Sequence, residues 1–361
     1  MATKMTARPY EEVTPQAQAL HDRSIVIDGC SFFLRGYNDR VKSGGLTAIN
    51  FTVPDVYADA PDAFRAVREY YEVARRDPKV VIVRTVADIE RCKAEGKLGA
   101  ILGTQNSRFL GTELVLVEMF ARLGIRTVQL TYNERNFAGD GWMEPVDAGL
   151  SHHGRGLIKE LARWGVVLDL SHIGQRTIME AIEASQGPVV VTHAGIRKFV
   201  DHGRTVSDEQ MKAIAATGGV VGVTSFGSFN WRGDNKRPTL GDFLEALEHA
   251  ISVAGIDHVG IGTDSVVEPG GYPQKVRDHA AMTYGPYSAR QIEHSRRFKE
   301  VTAPLTTDDH LEGFRSMEHL PRVTQGLLDR GYKGSDVQKV LGANFLRVFR
   351  TVWKPFTDQS G

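Results

Sequence analysis

Residues 169–195 read DLSHIGQRTIMEAIEASQGPVVVTHAG, and an apolar run precedes each histidine. VVLDLS (166–171) leads into His172, PVVVTH (188–193) ends in His193, and the amphipathic stretch RTIMEAIEAS lies between them. The pattern is strand, helix, strand. Near-continuous β-branched runs separated by a helix belong to a parallel sheet covered on both faces. A side chain at the carboxyl end of such a strand points into a loop-lined mouth, so His172 and His193 are expected to face one site.

The same unit recurs along the chain. Strands are expected at 24–28, 47–52, 99–104, 126–131, 166–171, 188–193, 219–225 and 258–264. Between them lie helical patterns such as APDAFRAVREYYEVARR, SDEQMKAIAATGG and TLGDFLEALEHAISVAG, several opening on Ser, Thr or Asp and closing on Gly. Eight units fit an α/β fold of the closed (β/α)8 TIM type, with an open doubly wound sheet as the alternative. No G-x-G-x-x-G opens a helix after a strand, which argues against dinucleotide binding. One domain is expected over 1–361, with an N-terminal extension at 1–23. The Gly-, Pro- and charge-rich segment 266–310 is read as an insertion over the barrel mouth or a dimer arm. Closing helices follow, with Ser335 capping the last but one.

Composition narrows the partners. The 361 residues carry 44 basic and 44 acidic side chains, so no basic field exists to attract nucleic acid or an anionic membrane. A small molecule is the expected partner. The first thirty residues lack a long apolar stretch with a small-residue cleavage site, and the chain has two cysteines, Cys30 and Cys92. A cytoplasmic protein without disulfides is therefore expected. Cys92, in the helix-like ADIERCKAEG, is read as inert.

Strand ends converge in a barrel even when far apart in sequence. They bring together Cys30, Ser31 and Phe32 after the first strand, Gln105 after the third, and Tyr132 and Asn133 after the fourth. The fifth, sixth and eighth contribute His172, His193 and Asp264. Two imidazoles and a carboxylate suit a divalent metal site of the zinc kind, although either histidine alone would be read as a hydrogen-bonded structural residue. Arg204, shortly after the sixth strand, has the planar fork that holds a carboxylate, and it would equally serve as a surface or capping residue.

At this point VVLDLSHIG (166–174), GPVVVTHAGIRKFVDHGRTVSDEQMKAIAATGGVVGV (187–223), HVGIGTD (258–264) and KVLGANFLRVFRTVW (339–353) resemble the renal or membrane dipeptidase family of metallopeptidases. The resemblance implies an amidohydrolase-type barrel, two zinc ions and dipeptide hydrolysis. It also implies that His172 and His193 hold the second metal, that Asp264 is the final-strand aspartate, and that Arg204 binds the substrate carboxylate. The other half of the family's site is changed. Where relatives have Asp-Gly-His-x-Asp, this chain has IDGCSFF, with Cys30 and Phe32 at the ligand positions; Gln105 replaces the bridging glutamate, and Tyr132 replaces the fourth-strand histidine.

Phe32 cannot ligate, so the expectation is one divalent ion at most, zinc first, with manganese or iron as alternatives. His172, His193 and Asp264 are its expected ligands. Asp264, Tyr132 and Cys30 are the candidate catalytic groups, and Arg204, Asn133, Phe32 and Gln105 the candidate substrate contacts. The function read from this is amide hydrolysis on a small carboxylate-bearing substrate. Two alternatives stay open: a decarboxylase, lyase or isomerase on such a substrate, and a silent ligand-binding relative. Relatives often pair, so a homodimer is also expected.

Overall fold

Eight of the β-branched runs pair side by side in parallel, and every named strand pair is parallel. The computed structural model describes residues 12–234, 236–268 and 311–355. Its strands are β1 (Ile27–Phe32), β2 (Ala48–Thr52), β3 (Val80–Ile82), β4 (Leu98–Thr104), β5 (Ile125–Gln129), β6 (Val167–Asp169), β7 (Val190–Ile196), β8 (Thr205–Val206), β9 (Val220–Val223), β10 (Val259–Ile261) and β11 (Ser265–Val266). The sheet runs β10-β9-β7-β6-β5-β4-β2-β1-β11, with β3 beside β4 and β8 beside β7. Only Gly262, Thr263 and Asp264 separate β10 from β11, so the path returns to its start and the sheet closes as an eight-unit barrel. The short strands β3, β8 and β11 were not anticipated from sequence, being too brief to carry a period.

Helix boundaries follow local chemistry. The helix Ala60–Arg76 starts at Asp59, whose side chain accepts from the Asp62 N–H, and Leu240–Ala254 starts in a capping box between Thr239 and Asp242. Ser335 is not a cap: the helix Gly334–Gln338 begins after Lys333 and takes Ser335 into its first turn. Ahead of the barrel, Pro15–Arg23 packs on Leu320–Asp329, joined by His21, whose ring nitrogens meet Thr324 Oγ1 at 2.8 Å and the Gly44 carbonyl at 2.9 Å. The expected insertion or dimer arm falls mostly on 269–310 and so lies outside the described residues.

The core has two layers. One lies between strands and helices; the other fills the lower barrel with Ile27, Ala48, Ile101, Val167, Val190 and Val220 from six strands, against Phe345, Phe349 and Trp353 of the C-terminal segment. These aromatics plug the amino-terminal end, leaving the opposite face for chemistry. Above the plug the interior narrows around the Thr192 carbonyl. A Cβ at Gly29, Gly222 or Gly262 would lie 2.5, 2.1 or 2.0 Å from that oxygen, so glycine is needed where β1, β9 and the end of β10 pass β7.

Two strand ends differ from the sequence reading. Cys30, Ser31 and Phe32 lie within β1, because the chain before it is used to end a helix (Ser24 Oγ donates to the Leu20 carbonyl) and β11 then pairs Ser31 and Phe32. His193 likewise lies within β7, which continues to Ile196 because β8 pairs with Gly195 and Ile196. His193 still reaches the interior, at an irregularity between Val191 and Ala194 in the pairing with β9.

Candidate functional site

Four non-glycine residues have positive φ among the described residues: Phe33 (56°), Asn133 (43°), His172 (64°) and Asp264 (56°). All four follow the carboxyl ends of β1, β5, β6 and β10. Each left-handed residue costs about 1–3 kcal/mol, and such strain gathers where a site dictates side-chain direction. The sequence carried no signal for it.

At the centre, His172 Nε2 and His193 Nε2 are 3.0 Å apart, and the surrounding hydrogen bonds fix both tautomers. Trp142 Nε1 is only a donor and lies 2.6 Å from Asn133 Oδ1, so that atom is an acceptor. The same oxygen is 2.8 Å from His172 Nδ1, which must therefore carry the proton. On the other side, Thr192 Oγ1 donates to Asp169 Oδ2 at 2.6 Å and so accepts from His193 Nδ1 at 2.8 Å. Both Nε2 lone pairs are left facing each other. His172 and His193 are held well below the usual imidazole range, first by burial and then by the Arg204 charge, so both rings are neutral.

Two buried neutral lone pairs at that spacing repel unless a cation lies between them. Two imidazole nitrogens bound to one tetrahedral zinc at 2.0–2.1 Å would be about 3.3 Å apart, close to what is seen. Asp264 Oδ1 lies 3.9 Å from His193 Nε2 and could add a negative donor. The chemistry of these donors, two imidazole nitrogens and a carboxylate, suits a divalent ion. At the positions expected for a second ion, Phe32 has no donor atom, and Gln105 donates its amide nitrogen to Thr52 Oγ1 at 2.9 Å and Cys30 Sγ at 3.3 Å, which leaves only its neutral carbonyl oxygen as a donor.

Two buried carboxylates absent from the sequence reading hold this arrangement. Asp169 accepts from the N–H and hydroxyl of both Ser171 and Thr192, and Asp28 accepts from the Cys30 N–H, the Ser31 hydroxyl, and the N–H and hydroxyl of Thr263. Burial raises both above the usual aspartate value, while these donors pull the other way. Each clamp grips the threonine just before a site residue: Thr192 before His193, Thr263 before Asp264. The runs DLS, VTH, DGCS and GTD were visible in the sequence, but nothing in it paired them.

The remaining candidates are arranged around this pair. Tyr132 stacks on the His172 ring, with centroids 4.3 Å apart. Asn133 stands behind His172, where Trp142 and the imidazole take its carbonyl oxygen, rather than facing the mouth with that atom. Phe32 is half-buried at the end of β1, beside Phe33. Arg204 is 5 % exposed, donates from one terminal nitrogen to the His193 carbonyl at 2.6 Å, and keeps its Nε without a hydrogen-bond partner.

Comparison with known proteins places the chain in a family. The family model for membrane dipeptidases, peptidase family M19, matches residues 15–278 and 302–357. An amidohydrolase structure from Pseudomonas aeruginosa is 34 % identical with a TM-score of 0.82, covering 93 % of this chain and 99 % of that one. A Rhodobacter sphaeroides metallopeptidase, liganded with a phosphinate mimic of the dipeptide L-Ala-D-Ala, shares the fold at 20 % identity and a TM-score of 0.73, over 91 % and 100 % of the two chains. Dipeptidase tcpJ of Claviceps purpurea is 25 % identical over 276 residues, which is 76 % of this chain and 56 % of that protein. An uncharacterised dipeptidase of Schizosaccharomyces pombe is 33 % identical over 173 residues, 47 % of this chain and 42 % of the relative, so this chain spans about half the length of these curated relatives. With a matching family model over most of its length and a barrel of the same type, the chain belongs to the membrane dipeptidase family, peptidase family M19.

Proposed function

We propose that this protein is a metal-dependent hydrolase of the dipeptidase type, cleaving an amide bond in a small substrate with a free carboxylate through a single ion held by His172, His193 and Asp264. The observation that carries the reading is the pair of tautomer-locked Nε2 atoms 3.0 Å apart, an arrangement that a cation satisfies. Zinc is the assigned ion, since neutral imidazoles and one carboxylate form a borderline donor set. When bound, the ion supplies Lewis-acid polarisation of the scissile carbonyl.

The chain's own groups divide the remaining work. Arg204 orients the substrate carboxylate, supported by its buried guanidinium with an unused Nε–H. Asp264 takes the proton of the attacking water and returns it to the departing amine. The Tyr132 hydroxyl donates to the developing oxyanion, where relatives would use an imidazole. Phe32 and Phe33 supply an apolar wall. Two free buried thiols, Cys30 and Cys92, support a reducing, cytoplasmic setting. No helix among the described residues is long and apolar enough to cross a membrane.

The test is elemental analysis of protein purified without chelators, followed by a panel of dipeptides and N-acyl amino acids assayed for released amine. About one ion per chain with amine release is expected. About two ions would overturn the single-ion site, and one ion without any amine release would move the chemistry to a non-hydrolytic reaction.

A further inference from the structure

One group beside His193 and Asp264 is unused by the reading above. The Sγ of Cys30, a ring nitrogen of His193 and a carboxylate oxygen of Asp264 all lie within 4.8 Å of one another. They come from β1, from β7 and from the turn between β10 and β11, so two strands and a turn converge on one point. Cys30 is 1 % exposed and His193 fully buried, and among the described residues no hydrogen-bond donor meets the His193 Nε2 lone pair.

The sulfur is also prepared as an acceptor. Gln105 Nε2 donates to it at 3.3 Å and to Thr52 Oγ1 at 2.9 Å, and the Asp28 carboxylate holds the Cys30 backbone N–H at 3.2 Å, fixing the side chain's base. A thiolate and a carboxylate together cancel the charge of a dication, leaving the imidazoles neutral.

We infer that Cys30 is a thiolate ligand of the ion, forming with His193 and Asp264, and with His172 beside His193, a sulfur-bearing site that selects zinc-like, thiol-tolerant ions over magnesium, calcium or manganese. The inference rests on the reading that the site holds a divalent ion. On binding, the S–H proton leaves to solvent and an S–metal bond forms, with no change of oxidation state.

The experiment titrates cobalt(II) into chelator-treated full-length protein and records near-ultraviolet absorption alongside uptake by equilibrium dialysis. A sulfur-to-cobalt charge-transfer band is expected in the wild type and in Cys92→Ser; as the chain has only two cysteines, the band in that variant can come only from Cys30. Cys30→Ser should lose the band and bind cobalt more than about 100-fold more weakly, beyond the effect of losing an outer hydrogen bond. X-ray absorption of the zinc-loaded wild type, which depends on no variant, should show a sulfur shell at about 2.3 Å. Cobalt uptake without the band, or a zinc shell of light atoms only, overturns the thiolate and leaves the ion in place. No uptake at all overturns the ion and the inference together.

Discussion

Replacing Thr192 with valine tests whether the buried carboxylates prepare the histidine pair or merely hold the barrel together. Valine keeps the shape of threonine and deletes one hydroxyl. That hydroxyl donates to Asp169 Oδ2 at 2.6 Å and receives the His193 Nδ1 proton at 2.8 Å. A hydrogen bond to a buried carboxylate contributes about 1.5–3 kcal/mol, and an imidazole N–H left without an acceptor costs about 1–3 kcal/mol. Set against roughly 1 kcal/mol gained by the buried methyl, the net loss of folding stability is about 1.5–5 kcal/mol. Without the hydroxyl nothing fixes the proton on Nδ1, so the Nε2 lone pair is no longer guaranteed, and metal affinity should fall by about 10–100-fold. Stability is read by urea unfolding of the metal-free protein and affinity by competition with a chromophoric chelator. Thr192→Ser, which retains the hydroxyl, should restore affinity to near wild type. If the valine variant loses stability but binds zinc within threefold of wild type, the Asp169–Thr192–His193 chain does not set the tautomer, and the argument for a prepared site on that side fails.

Three further predictions follow the same geometry. His172→Ala removes one of the two facing lone pairs, and metal per chain by elemental analysis should drop to near zero; unchanged occupancy would contradict the assignment. Arg204→Lys loses the planar fork, and about 2 kcal/mol of the carboxylate interaction with it, so kcat/KM for an active dipeptide should fall about 30-fold, while a substrate with its carboxylate amidated should lose little. The metal-free protein should be acid-sensitive. Burial lowers His21, His172 and His193 below the usual imidazole value, so below about pH 6.5 the unfolded chain binds more protons than the folded one. This stability is therefore present above the unfolded value and is lost as pH falls through that window toward the folded one. Each neutral histidine contributes a slope of about 1.4 kcal/mol per pH unit, and the double variant His172→Gln/His193→Gln should be flatter than wild type by about twice that in urea titrations between pH 5 and 6. Equal slopes would mean that the two rings are charged in the folded state.

Much of this was legible locally. A β-branched run or a helix cap acts over a few residues, so all eight barrel units and the starts of helices such as Leu240–Ala254 could be read directly. His172, His193 and Asp264 could also be picked out, because residues near the carboxyl ends of successive barrel strands share one mouth whatever lies between them.

The sequence by itself therefore determined the barrel, the neutral balance of charge, and the residue types available to hold an ion. Tertiary structure decided how those residues are used. The Asp28 clamp on Thr263 joins groups 235 positions apart, and the Trp142–Asn133–His172 and Asp169–Thr192–His193 chains cross between elements. Hydrogen-bond direction and proton position depend on which atoms meet in space, and no run of neighbouring residues records that. The same holds for Cys30: the sequence offers it as a thiol at a position where relatives have a ligand, and only the closing of β1 against β10 and β11 brings its sulfur to His193 and Asp264.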